Sequence, residues 1–255
     1  RFYAQSSGAS VVIAGEADPA AQEYYAIYPY SGSNILWYHE SEATGTHYSI
    51  LFDIPNIQKY QNGSFAPNTS PMVAKARYGE TLNFQNLCGL LALRLTGEEK
   101  VSSITFSGKD ATGNTMYVSG AFHVVMDYEG VPTIIPGPEG PTGQALMQST
   151  YKSIKLVCDE PVQLNESEPT TFYMVMPPAT FQSFIVTITT EDGRVMMKEG
   201  TKPLTIKRSD VQPTAGLQYV ETTNVDLSLD GTANCYIVTE PGYYSIDAEV
   251  IGNGD

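Results

Sequence analysis

Charged residues are scarce in this chain: only 16% of its 255 residues are Asp, Glu, Lys or Arg. The basic residues number 14 against 28 acidic ones, which gives a formal net charge of −14 at pH 7. A negative field of this size repels phosphate backbones, so we expect no nucleic-acid binding. The chain also has no basic run long enough to seat it on an anionic membrane.

Cysteine is rare as well. Cys88, Cys158 and Cys235 lie far apart in the sequence, each within an apolar stretch, and none belongs to a Cys-x-x-Cys pair. This spacing argues against a disulfide scaffold or a zinc site. It predicts small buried core residues, with one long-range disulfide as the alternative.

The sequence contains no nucleophile elbow, Walker A motif or dinucleotide fingerprint. Its three histidines, His39, His47 and His123, form no metal-binding motif. His123 lies on the polar side of a predicted strand, which predicts a solvated imidazole. Residues 226–237 begin like a calcium loop, but Ile237 stands where a bidentate Glu is needed, so a β-turn is the better interpretation. We therefore expect a non-enzymatic protein with no metal and no cofactor.

No signal peptide, lipobox or apolar span of membrane length is present in the sequence. The chain starts at Arg1 without a Met and stops at a turn signal that directly follows a well-patterned strand. We expect that an upstream segment has been removed and that the native polypeptide continues past Asp255.

Tyrosine, by contrast, is abundant, with 17 residues. Together with Thr, Ser and Gly it favours twisted sheets over helical bundles. The most apolar run, residues 82–96, fits both a helical and a strand period. Because short β-rich runs bounded by turn residues follow it, the run is predicted to be a central strand with apolar side chains on both faces.

The predicted strands fall into three groups. Residues 1–79 form an N-terminal β-sandwich domain, residues 80–212 a second one, and residues 213–255 a linker (213–223) followed by strands of a further module. The strongest hairpin signal is the Asp192-Gly193 turn between two β runs. Residues 58–71 and 131–143 are predicted to be loops, the second stiffened by four prolines.

Six aromatic residues lie between positions 24 and 38. They are predicted to divide between core and β surface, and a glycan-binding platform that includes Tyr28, Trp37 and Tyr38 is the alternative.

Several strings follow one another in a characteristic order. These are the apolar run at 82–95, Val-Ser-Ser-Ile-Thr-Phe-Ser-Gly at 101–108, and the strings at 170–178, 184–193 and 207–209. Together they resemble the fimbrillin-like surface proteins of Bacteroidetes, and residues 231–238 resemble a module that follows in larger members. The resemblance is good from about residue 80 to 250 and weak before that.

The resemblance implies tandem transthyretin-like β-sandwiches with Greek-key topology, exported as a lipoprotein precursor to the outer membrane. It also implies that an arginine-specific protease releases an N-terminal strand and that a strand from the next subunit fills the groove. The membrane would be contacted only through the removed N-terminal lipid anchor. The candidates for strand exchange are Phe2, Tyr3, Tyr244, Ile246, Ala248 and Val250. The alternative for the strand at 244–250 is that it belongs to the start of a third domain, which the sequence alone does not separate from a donor role.

The function expected from this resemblance is a fimbrial subunit, or a tip or accessory adhesin, that binds other subunits by strand addition. Its further partner would be a host or bacterial surface glycan or protein. The alternatives are a surface glycan-binding lipoprotein and an accessory β domain of a larger enzyme.

Overall fold

The computed structural model describes residues 3–4, 13–14, 18–41, 45–126, 131–137 and 150–221, and for 3–4, 13–14, 37–41 and 45–47 it describes the backbone alone. The protein is all-β, with several sheets. In the first part of the chain the strands are β1 (Tyr3–Ala4), β2 (Ile13–Ala14), β3 (Tyr24–Tyr28), β4 (Ile35–Ser41), β5 (Gly45–Ile54), β6 (Ile57–Gln61), β7 (Ser64–Phe65) and β8 (Met72–Ala76).

The remaining strands follow with short connections, except around the undescribed residues 127–130 and 138–149. They are β9 (Gln85–Asn86), β10 (Gly89–Thr96), β11 (Lys100–Lys109), β12 (Ser119–Met126), β13 (Pro132–Pro136), β14 (Thr150–Tyr151), β15 (Ile154–Gln163), β16 (Thr170–Met176), β17 (Ala179–Phe181), β18 (Ser183–Thr190), β19 (Val195–Gly200), β20 (Leu204–Ile206), β21 (Val211–Pro213) and β22 (Leu217–Gln218).

Two sheets enclose the larger core. One has six strands in the order β19–β18–β11–β15–β6–β7, and the other has β16–β10–β21, with β22 also paired to β10. Leu91, Leu93 and Leu95 of β10 are buried between them, against residues such as Ile104 and Phe106 of β11. Side chains two apart in a strand share a face, so this face of β10 is wholly apolar.

A second core lies on the other face of β16. There Val175 meets residues of a five-stranded sheet, β13–β12–β5–β4 with β14 paired to β12, and of a three-stranded sheet, β3–β8–β9. Leu90 of β10 packs against this second core while its neighbour Leu91 lies in the first. The prediction of a central strand with two apolar faces is therefore confirmed.

β10 starts at Gly89, later than the predicted run, and this residue lies close to another part of the backbone. A Cβ on Gly89 would lie 2.1 Å from the carbonyl oxygen of Lys207, a distance that no real side chain adopts. Residues 85–86 form the separate strand β9, which pairs with β8.

The hairpin at Asp192-Gly193 is confirmed: β18 and β19 pair in antiparallel register and Gly193 has a φ of +85°. Two loop predictions, at 58–71 and 131–143, differ from the structure. Residues 57–61 and 64–65 are strands, with β6 parallel to β15, and residues 132–136 form an edge strand with a proline at each end. Parallel pairing between segments about 100 residues apart leaves no local sequence signal.

The segment predicted as a linker begins as part of the four-stranded sheet. β21 and β22 run parallel to β10, and the Tyr219 side chain is buried in the larger core. The division of the chain at 79/80 stays a prediction, although β5 and β6 pair with β12 and β15 across that position. The strands predicted between residues 225 and 250 lie outside the described residues.

Candidate functional site

The surface around strand β4 exposes large apolar side chains. Leu36 is 56% exposed, Ile35 42% and Tyr48 38%; Tyr28 at the end of β3 and Tyr30 just after it are 50% and 61% exposed. We refer to these five residues as the β4 surface. Leu36 and Tyr48 share one face of the sheet, because Leu36 pairs with Ile50, two residues from Tyr48. Neighbouring apolar side chains that remain exposed on a folded protein mark sites of interaction.

β4 is the last strand of the five-stranded sheet, and within the described ranges no strand pairs with its outer side. Ile35 and Leu36 are consecutive, so they point to opposite faces of the sheet, and both are exposed. Both faces are therefore partly open to solvent where β4 begins. An edge of this kind presents backbone donors and acceptors to an incoming strand, with apolar side chains beside them.

A polar cluster contacts the β4 surface at Tyr48. The rings of Tyr25 and Tyr48 lie 5.7 Å apart, and the Tyr25 hydroxyl donates to Glu23 Oε2 at 3.0 Å. Lys75 Nζ lies 3.0 Å from Glu23 Oε1 and 5.6 Å from the Tyr25 ring centroid. The hydrogen bond from Lys75 lowers the pKa of Glu23, and burial raises the pKa of Tyr25. Near neutral pH the cluster therefore offers an aromatic ring, a carboxylate and an ammonium group in fixed positions.

The predicted glycan residues belong to two different sheets. Trp37 and Tyr38 are in β4, in register with Ser49 and Tyr48 of β5, and their side chains are outside the description. Tyr28 is at the end of β3, and its hydroxyl lies 3.5 Å from Asn68 Oδ1. These residues are close in the sequence, but they do not belong to one pair of strands in the structure.

Most of the predicted strand-exchange residues lie outside the described residues, namely Phe2, Tyr244, Ile246, Ala248 and Val250. Tyr3 forms part of β1, where it pairs with Ala14 of β2.

The prediction for His123 is wrong, because its side chain is 3% exposed. Its Nδ1 lies 3.2 Å from Ser49 Oγ, which is also buried. Alternation placed His123 correctly on the face opposite Phe122 and Val124, but this second face of the sheet is buried as well. Leu51, its partner in the register, is 1% exposed.

Cys88 and Cys158 are free and buried, as predicted, and Cys235 lies outside the described residues. Burial raises the pKa of both thiols, that of Cys158 to about 11. Within the described ranges no group of His, Cys, Asp and Glu could hold a metal ion.

A polar cavity of about 160 Å³ lies beside the turn that joins β10 and β11. Three of its lining residues are glutamates: Glu98, Glu99 and Glu166. Arg194 Nη1 lies 3.8 Å from Glu99 Oε1 and partly offsets the acidic charge.

Sequence reasoning missed two features of the structure, the exposed edge at β4 and the buried side chain of Gln58. The exposure of Leu36 and Tyr48 depends on β4 being an edge, which local patterns do not reveal. Gln58 was assigned to a polar loop, yet its side chain is 3% exposed and bonds to the backbone of β16. Nothing in the sequence near Gln58 signals that contact, since Val175 is 117 residues away.

A scan against models of known protein families finds none that matches the chain, and a search of curated proteins finds no match either. No helix in the described ranges is long and apolar enough to cross a membrane.

Proposed function

We propose that this chain is a non-enzymatic fimbrial subunit, or a tip or accessory adhesin, that assembles by β-strand addition at the cell surface. The observation that carries the proposal is the outer edge of β4, with Ile35 and Leu36 exposed on opposite faces. An added strand would gain backbone hydrogen bonds along β4 and bury these side chains.

The all-β architecture and the sequence resemblance to fimbrillin-like proteins support the same proposal. In this proposal the sheets form tandem transthyretin-like sandwiches. The protein is exported as a precursor that an N-terminal lipid anchors in the outer membrane, and later processing removes the anchored segment. The partner at β4 is a strand of another fimbrial subunit.

The test is the mass of the full-length precursor by light scattering, with negative-stain microscopy, before and after digestion with an arginine-specific protease. We expect filaments or a detergent-resistant ladder only after cleavage. A monomer that persists after complete cleavage contradicts a polymerising role and leaves a tip adhesin.

A pair of matched variants connects assembly to β4. Leu36→Lys places a charge on the edge strand, which disfavours pairing with another strand. Ile57→Lys makes the same type of change at a residue that is 61% exposed but lies on β6, between β15 and β7. We expect Leu36→Lys to lower filament yield and Ile57→Lys to leave it unchanged; equal yields for both would refute the assignment to β4.

The second function that an observation favours is binding of a surface glycan. Tyr28, Tyr30 and Tyr48 are exposed, and Tyr48 packs on Tyr25, which is bonded to the carboxylate of Glu23 beside the ammonium group of Lys75. An aromatic ring with such groups beside it suits sugar recognition. A glycan array identifies a ligand, after which Trp37→Ala and Tyr28→Ala are expected to abolish binding. Tyr151→Ala, which removes a tyrosine 41% exposed on β14, is the control.

A further inference from the structure

The edge of β16 is closed by a side chain. Gln58 Nε2 donates to the carbonyl oxygen of Val175 at 2.8 Å, and Gln58 Oε1 accepts from the N–H of Val175 at 2.9 Å. Gln58 is on β6 of the six-stranded sheet, whereas Val175 is on β16 of the four-stranded sheet. The contact therefore joins the two sheets that enclose the larger core.

The geometry is that of a neighbouring strand. In an antiparallel ladder, a hydrogen-bonded residue exchanges one N–H···O bond in each direction with the residue opposite. A glutamine side chain ends in the same amide group as the backbone, so one Gln58 side chain supplies both bonds to Val175. A third bond, from Nε2 to the carbonyl oxygen of Pro55 at 3.3 Å, fixes which side of the amide faces which backbone group.

The two hydrogen bonds between Gln58 and Val175, which we call the clasp, are buried and supported by packing. Gln58 is 3% exposed and Val175 is fully buried, so neither backbone group of Val175 would find water if the amide were removed. On the same face of β6, Tyr60 packs its ring 5.2 Å from that of Phe172 on β16. The alternating residues Ile57 and Lys59 are exposed, as expected for side chains on the opposite face.

The position of Val175 decides what the clasp prevents. Within the described ranges β16 pairs with β10 on one side and with no strand on the other. Because Val175 bonds to Gln58 on that second side, the backbone groups of Tyr173 and Thr171, at two-residue spacing, also point outward. Gln58 thus holds β6 over this edge; if the contact is lost and β6 moves away from β16, the strand presents a run of outward donors and acceptors, which is a template for pairing with another chain.

We propose that Gln58 acts as a one-residue substitute for a strand at the edge of β16 and prevents this edge from pairing with the same edge of a second copy. The inference goes beyond the proposed function, because it concerns an edge that is kept out of assembly. The edge of β4 is therefore available for pairing with another chain, whereas the edge of β16 is not.

The first test compares Gln58→Met, which keeps the volume and removes the amide, with Gln61→Met at the exposed end of the same strand. Hydrogen exchange measures the protection of the Val175 amide, with the Leu93 amide of β10 as an internal reference. We expect protection at Val175 to fall at least about tenfold in Gln58→Met, in line with the loss of one hydrogen bond, and protection at Leu93 to be retained.

The second measurement is association. Sedimentation equilibrium over a range of concentrations gives the weight-average mass, which we expect to rise at lower concentration for Gln58→Met than for wild type or Gln61→Met. Unchanged protection at Val175 overturns the inference. Lost protection at Val175 with the mass of the wild type also overturns it, because Gln58 would then stabilise β16 without blocking its edge.

A third variant keeps the inference testable where Gln58→Met does not fold. In Gln58→Glu a protonated carboxyl group can donate to the Val175 carbonyl and accept from its N–H, whereas a carboxylate repels that carbonyl. Burial raises the pKa of such a carboxyl group, so protonation occurs at mild pH. We expect protection at Val175 and the mass of the wild type to return between pH 8 and pH 5.5. No such recovery, relative to wild type at the same two pH values, would refute the inference.

Discussion

Replacing Leu93 by alanine tests the central place of β10 in the fold. Leu93 is 0% exposed and faces the larger core, in register with Phe172 of β16. Burial contributes about 0.8 kcal/mol for each of the three carbons removed, which gives about 2.4 kcal/mol. The cavity that remains adds to this, because β10 is held on one side by β16 and on the other by β21 and β22. We expect a loss of about 3–4 kcal/mol in the free energy of unfolding.

The same substitution at two other leucines separates burial from side-chain type. Leu90 is half-buried against the second core, and we expect Leu90→Ala to cost about 1–2 kcal/mol. Leu36 is 56% exposed, and we expect Leu36→Ala to change stability by less than about 0.5 kcal/mol. The order of the three effects follows from burial alone.

Urea unfolding measures these differences, followed by far-UV circular dichroism and by the fluorescence of the single tryptophan, Trp37. Two probes are needed because a chain of this length can unfold in more than one step, and coincident curves justify a two-state fit. A cost below about 1 kcal/mol for Leu93→Ala, or a cost for Leu36→Ala that equals it, would refute the assignment of β10 to the core.

Two further predictions concern titratable groups. In a Cys235→Ser variant, we expect neither Cys88 nor Cys158 to react with a thiol reagent at pH 8 until the protein unfolds, because burial raises both pKa values; rapid reaction in the native state contradicts their burial. Asp192 has a pKa of about 2, lowered first by a hydrogen bond from Thr190 and then by one from Arg194. Its contribution to the stability of the fold is therefore complete above the unfolded-state pKa near 4 and is lost as the pH falls towards 2. We therefore expect the difference in urea midpoint between wild type and Asp192→Asn to shrink from pH 5 to pH 2; a difference independent of pH would contradict this assignment.

Local patterns were sufficient where the structure is local. The β18–β19 hairpin follows from a three-residue loop, residues 191–193, whose last position needs a positive φ, which Gly193 supplies. The apolar faces of β10 follow from alternation of leucines within one strand. In both cases the residues that decide the structure are neighbours in the sequence.

The parts that could not be predicted depend on contacts between distant segments. β6 looks like a polar loop because Gln58, Lys59 and Gln61 are polar and glycine and proline follow them. Only the position of β16, more than 100 residues later, explains why a glutamine is buried there. The open edge of β4 is likewise a property of sheet order, which no single strand encodes.

His123 shows a different limit. Its alternation with Phe122 and Val124 located it on the correct face, but the inference that a polar residue marks a solvated face failed. The Ser49 hydroxyl is a hydrogen-bond partner for His123 Nδ1, so this nitrogen is paired although it is buried. A polar residue in an alternating strand therefore indicates a face with hydrogen-bonding needs, and water is only one way of meeting them.

Tyr219 presents the opposite case. Its side chain is 5% exposed within the larger core, and its hydroxyl makes no hydrogen bond of good geometry among the described residues. Burial raises the pKa of this hydroxyl, and the nearby Thr190 side chain offsets only part of that rise. Because an unsatisfied buried hydroxyl costs about 1–3 kcal/mol, we expect Tyr219→Phe to leave stability unchanged or to raise it by about 1 kcal/mol. Tyr219→Ala, by contrast, removes the ring and should destabilise by about 3 kcal/mol or more. Urea midpoints for the two variants provide the comparison. A loss above about 1 kcal/mol for Tyr219→Phe would mean that the hydroxyl is bonded in solution, and the argument from its isolation would fail.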